Sequence, residues 1–131
     1  MREIKFRAWN KNKNKMYQVR GINFDNEDLW LKINETQIMG ANLFEVELMQ
    51  YTGLKDKNGK EIYKGDILQF YNDVDYIIKP GYAKVVFKDG AFCCKHFKYG
   101  TEYLANMDMS DMDITVVGNI YENPELLKEG E

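Results

Sequence analysis

Between Met49 and Phe70 the chain packs two turn signals, Asn58-Gly59 and Gly65-Asp66, between apolar edges at Met49–Leu54 and Ile67–Phe70. Asn-Gly is the strongest short hairpin signal, because a two-residue type I′ turn needs positive φ at both central positions. The stretch therefore reads as a β-hairpin feeding a further strand. Its spacing carries no catalytic pattern, so it constrains the fold far more than the activity.

The rest of the chain agrees with a β reading. Ile4 to Trp9 alternates with period two, placing Ile4, Phe6 and Ala8 on one face and Lys5, Arg7 and Trp9 on the other. Asn10 to Lys15 is a polar turn, and Met16 to Val19 returns, which predicts an N-terminal hairpin. Leu29–Ile33 and Phe44–Leu48 read as strands, the latter leading into the central hairpin. Ile67–Tyr71 follows Gly65-Asp66. Asn72 to Gly81 reads as a loop ending in a tight Pro80-Gly81 turn. Tyr82–Phe87 and Ala91–Phe97 form a hairpin around Asp89-Gly90. Residues 103–113 read as a short helix or a loop, and Ile114–Tyr121 as a late strand. Asn123-Pro124-Glu125 opens a short C-terminal helix, with Asn as cap, Pro at the first helical position and Glu at the positive dipole end. The expectation is a mainly β protein. It has an N-terminal β unit over about 1–54 and a small SH3-like barrel over about 62–131, since closing a short sheet removes its exposed edges.

Composition narrows the function classes. The chain has 131 residues, 44% hydrophobic and 14% aromatic, enough for a packed core of one ordinary domain or two small subdomains. A net charge of −3 argues against a general nucleic-acid binder. The charge is uneven: residues 1–20 hold seven of the eighteen Lys and Arg and one acid, Glu3, so 7 − 1 = +6 falls there and −9 on the remainder. Such a block either solvates a surface or meets an acidic partner or phosphates. No run reaches the ~18 apolar residues of a membrane span. The N-terminal residues have no apolar secretory core, and the two cysteines are adjacent, which points to a reducing, cytoplasmic compartment.

Three constellations carry residue types suited to chemistry. Cys93, Cys94 and His96 are too few and misplaced for a tetrahedral zinc site, and buried strand cysteines are the simpler reading. Asp108, Asp111 and Asp113 lack the glycine and closing Glu of a calcium loop, and read as a solvated acidic loop. The lone His96 has no partners for a nucleophilic triad. Neither enzyme activity nor a cofactor or metal is therefore expected. Tyr63, Phe70, Tyr71, Tyr82, Phe87 and Phe97 could stack bases, as in small barrels that bind single strands, but aromatics at strand positions also fill cores.

The chain resembles the YopX-like family of bacteriophage and prophage proteins. Arg2 with Lys5-Phe6-Arg7-Ala8-Trp9 carries the resemblance at the start, Met49 to Ile67 in the middle, and Val117 to Leu127 at the end. Within these blocks Tyr51, Thr52, Gly53, Asn58, Gly59, Gly65, Asp66, Gly118, Asn119 and Pro124 form the signature. The resemblance implies a single YopX-like domain over 1–131, a mostly β, barrel-like fold and a phage-derived protein of the host bacterial cytoplasm. It supplies no catalytic residues. The leading expectation is a non-enzymatic, self-associating interaction module, with a phage or host protein as a further candidate partner. Its basic start and acidic remainder could attract each other between subunits, head to tail, and close into a ring. The alternative is nucleic-acid binding through Arg2, Lys5, Arg7, Lys11, Lys13, Lys15 and Arg20, recognisable by steep salt dependence.

Overall fold

The computed structural model describes residues 3–74, 77–96 and 100–128, with side chains described outside 71–80, 96 and 128. The chain divides into two units, Met1–Tyr51 and Thr52–Glu131.

The first unit is an antiparallel sheet. Its strands are β1 (Phe6–Asn10), β2 (Lys15–Asn23), β3 (Asp28–Lys32), β4 (Ile38–Asn42) and β5 (Val46–Lys55), which continues into the second unit. They lie in the order β4-β3-β2-β1-β5. Alternation sorts the faces. In β3, Leu29 and Leu31 are fully buried while Trp30 points outward. Leu29 and Leu31 form the core with Ala8 and Val46, packed by Tyr17, Val19, Ile22, Met39, Ala41, Leu43 and Leu48. Ile4, expected to share a strand face with Phe6 and Ala8, precedes the strand and is 73% exposed.

One side-chain device closes turn after turn. Asn10 Oδ1 accepts the amides of Asn12 and Lys13. Asn23 does the same for Asp25 and Asn26, and Asn34 for Thr36 and Gln37. A short amide side chain mimics a backbone acceptor, which is why Asn stands at or just beyond these strand ends. Strand β4 carries too weak an alternation to be legible beforehand. Phe44–Leu48 is only partly strand. Leu43–Glu45 makes a 3-10 turn, because the Glu45 carboxylate reaches back to the Asn42 amide at 3.0 Å and leaves Phe44 70% exposed.

In the second unit β6 (Glu61–Tyr63) lies beside β5. A separate sheet contains β7 (Asp66–Val74), β8 (Ile77–Lys88), β9 (Ala91–His96), β10 (Gly100–Tyr103) and β11 (Thr115–Asn119), in the order β10-β9-β8-β7-β11. Ile62, Leu68, Phe70, Ala83, Val85, Phe92, Cys94, Leu104 and Ile114 form its core. A four-residue helix, α1 (Glu125–Lys128), ends the described chain.

The protein is mainly β, as expected, but neither sheet closes into a barrel. Strand β11 returns beside β7 rather than against β10, so the second sheet keeps two edges. The loop expected over 72–81 is instead part of a long β7–β8 arm paired from Ile67↔Lys84 to Val74↔Ile77. Pro80-Gly81 sits inside β8, where Pro80 pairs with Tyr71 and Gly81 with Phe70 of β7. Gly81 gives room to Phe70, whose ring would lie 2.6 Å from an added Cβ. Residues 103–113 hold the end of β10, a 3-10 turn over Leu104–Asn106 and further turns.

The two Xaa-Gly turns also differ. Asp89 and Gly90 both have positive φ (52° and 80°), the two-residue turn expected of them. At Asn58-Gly59 only Gly59 is left-handed (φ 84°), while the Gly59 amide donates to Asp56 O and the Asp56 amide to Lys60 O. That is a longer hairpin loop ending in a glycine bulge. Asp56 imposes it by accepting both the Asn58 and Lys60 amides on Oδ1, at 2.9 Å each.

Candidate functional site

The signature residues are structural. Thr52, 5% exposed, donates its hydroxyl to Ile62 O at 2.7 Å. Asp66, 1% exposed, accepts the Tyr63 amide at 2.8 Å and closes the turn through Gly65. Gly65 donates to Val85 O and accepts from Ile120, both at 2.9 Å. Tyr51 is buried, and its amide donates to Lys5 O. Gly53 adopts φ 87° within β5. Asn119 Oδ1 accepts the Tyr121 and Glu122 amides. Asn123, expected to cap the helix, turns its Oδ1 back to the Asn119 amide at 3.2 Å, and Pro124 is exposed at the start of α1. These residues fix turns and junctions rather than line a cleft.

The described basic residues meet different partners. Lys5 pairs with Glu3 at 3.3 Å and lies over the Tyr51 ring, and Arg7 is half-buried. Lys11 pairs with Glu47 at 3.4 Å, Lys13 approaches Met39 Sδ, and Lys15 lies over Tyr17. Lys11, Lys13 and Lys15 are exposed around the β1–β2 turn, while Arg20 stands apart on a β2 bulge. Arg2 lies outside the described residues.

The other candidates resolve locally. Cys93 and Cys94 are both buried and form no disulfide. Burial pushes the Cys94 thiol up to about 12, and the adjacent Cys93 adds to the rise. The side chain of His96 lies outside the described residues. Asp108 accepts the Ser110 and Asp111 amides, and Asp113 pairs with Lys57. Among the described residues no group of three or more His, Cys, Asp and Glu is placed to hold a metal, and no helix is long and apolar enough to cross a membrane. Tyr63 and Phe70 are core, Tyr82 is half-buried, and Phe87 is 53% exposed with its ring edge-on to Phe92. The side chain of Tyr71, and Phe97 as a whole, lie outside the described residues.

The surface feature not legible beforehand lies on the outer face of the first sheet. Trp30 is 39% exposed, and its register partners on both sides are glycines, Gly21 on β2 and Gly40 on β4. A Cβ on Gly21 would lie 3.5 Å from the indole, so the ring leans on that side; a Cβ on Gly40 would meet nothing within 4 Å. Hollows flank the ring. One is lined by Asp28, Gly40, Asn42 and Glu45, the other by Arg20, Gly21 and Ile38. Asp28 Oδ1 is buried without a hydrogen bond. Arg20 is the extra residue of the bulge between Val19 and Gly21. Asp28 and Arg20 therefore lie on opposite sides of Trp30 along the strands.

Comparison with known proteins places this architecture. The YopX family ("YopX protein") matches over residues 5–128. Among solved structures, protein EF1440 from Enterococcus faecalis is 28% identical with a TM-score of 0.68, over 97% of this chain and 99% of that one. Protein YopX from Bacillus subtilis is 23% identical with a TM-score of 0.64, over 97% of each chain, and is similar in fold. No curated protein matches the sequence. With a family match that spans nearly the whole described chain, this protein belongs to the YopX family.

Proposed function

We propose that the protein is a non-enzymatic interaction module that associates with copies of itself, in the phage or prophage setting that the family resemblance implies. One observation carries this reading. Of the ten exposed large hydrophobic side chains among the described residues, six belong to the first unit: Ile4, Phe24, Trp30, Ile33, Ile38 and Phe44. Trp30 and Ile38 stand on strands and the other four outside them, and exposed apolar groups gathered on one unit mark interaction surfaces, since exposure forfeits the ~25 cal/mol per Å² that burial returns. The basic segment supports the nucleic-acid alternative less well, because Lys5 and Lys11 already pair with Glu3 and Glu47. Sedimentation equilibrium over a wide concentration range tests the proposal. A reversible rise from monomer to a defined oligomer supports it, and a monomer at every concentration overturns it.

A further inference from the structure

Trp30, with an acid on one side and a base on the other, makes a face that complements itself. Along β3 the outward positions are Asp28, Trp30 and Lys32. Arg20 lies beside Trp30 in the direction away from Asp28, because Gly21 pairs with Trp30 and Asn23 with Asp28. Lys32 is engaged by Glu35 at 3.3 Å. Arg20 is exposed and makes no ion pair among the described residues. Asp28 is half-buried, lines the hollow on the other side of Trp30 and makes no ion pair among the described residues. A guanidinium supplies strong, charge-assisted donors to a carboxylate.

A two-fold axis over Trp30 turns this polarity onto itself. It brings Arg20 of one copy to Asp28 of the other, twice, with the two indoles between them. The open space over Gly40 is where the partner's indole fits, since no side chain of its own strand fills it. We propose that a second copy of this chain docks on this face, with the two Trp30 rings packed together and reciprocal Arg20–Asp28 pairs on either side. An isologous contact of this kind is closed and two-fold, unlike the head-to-tail attraction suggested by summed charge. Centrally placed Trp and Arg are the residue types that dominate association energies. The inference rests on the self-association reading and specifies its surface.

Charge exchange tests it by sedimentation equilibrium on the full chain. Arg20→Asp and Asp28→Arg each set like charges together, and each weakens association by about 100-fold. The double variant restores opposite charges in exchanged positions and recovers most of the loss. Asp28→Arg disturbs a partly buried position, so Gly40→Glu serves as a second probe. Its side chain enters open space within the monomer but fills the partner's slot, so association is lost while the thermal midpoint is kept. A wild-type oligomer that persists unchanged in Arg20→Asp and Gly40→Glu overturns this surface and leaves self-association standing. A wild-type chain that is monomeric throughout overturns both.

Discussion

Asp56 and Val116 stand 60 residues apart in the chain, and the Oδ2 of Asp56 accepts the Val116 amide at 2.9 Å. The other carboxylate oxygen holds the amides of Asn58 and Lys60, so one buried side chain joins the central hairpin to β11. The junction is strengthened by Lys57, whose amide donates to Ile114 O at 3.1 Å and whose ammonium pairs with Asp113.

Asp56→Ala leaves three amides without their acceptor and is expected to cost about 3 kcal/mol of stability, read from urea unfolding. Asp56→Asn keeps one acceptor oxygen and should cost less. An Ala variant within about 0.5 kcal/mol of wild type would contradict this role.

Gly118 is required by Asn123. A Cβ at position 118 would lie 2.6 Å from the Asn123 Cγ and 2.9 Å from its Cβ, while Asn123 Oδ1 receives the Asn119 amide. Gly118→Ala should destabilise by about 1–3 kcal/mol through overpacking. In an Asn123→Gly background the same substitution should cost much less. A double-mutant cycle by thermal unfolding measures that coupling, and additive costs would contradict the contact.

The buried thiols should be inert in the native protein. With Cys94 pushed up to about 12 from an ordinary 9.0, it stays protonated near neutrality, and the thiolate is the reactive form. A thiol-specific reagent at pH 8 should label Cys93 and Cys94 only after unfolding. The sign for stability follows from the raised value. The contribution is fully present below pH 9 and declines between pH 9 and about 12, where the unfolded chain releases its proton first. Replacing Cys94 with Ala, at some cost in packing, should flatten that part of the pH–stability curve.

Local chemistry made much of this fold legible. Asp89-Gly90 forms its turn with both residues left-handed, as the dipeptide alone indicates. Asn58-Gly59 misled on turn type because the Asp56 carboxylate, not the dipeptide, organises the loop. Pro80-Gly81 misled because tertiary packing overrode a local signal: Phe70 occupies the space over Gly81, and β7 pairs with β8 through both residues. Barrel closure could not be read because it depends on which edge β11 joins. The Trp30 face was invisible for a related reason. Gly21, Trp30 and Gly40 meet only through two strand registers and a bulge at Arg20, which no spacing along one strand encodes. Summed charge over residues 1–20 carries no information on pairing: Lys11 meets Glu47, which lies outside that segment and comes close through the β1–β5 register.

Absolute molar mass by light scattering, at low and high salt and with and without mixed oligonucleotides, separates self-association from nucleic-acid binding. The expected result is a defined multiple of 15.5 kDa that is indifferent to oligonucleotide. A 15.5 kDa species that gains mass only with oligonucleotide at low salt would contradict it and return the basic residues around Lys11, Lys13 and Lys15 to the centre.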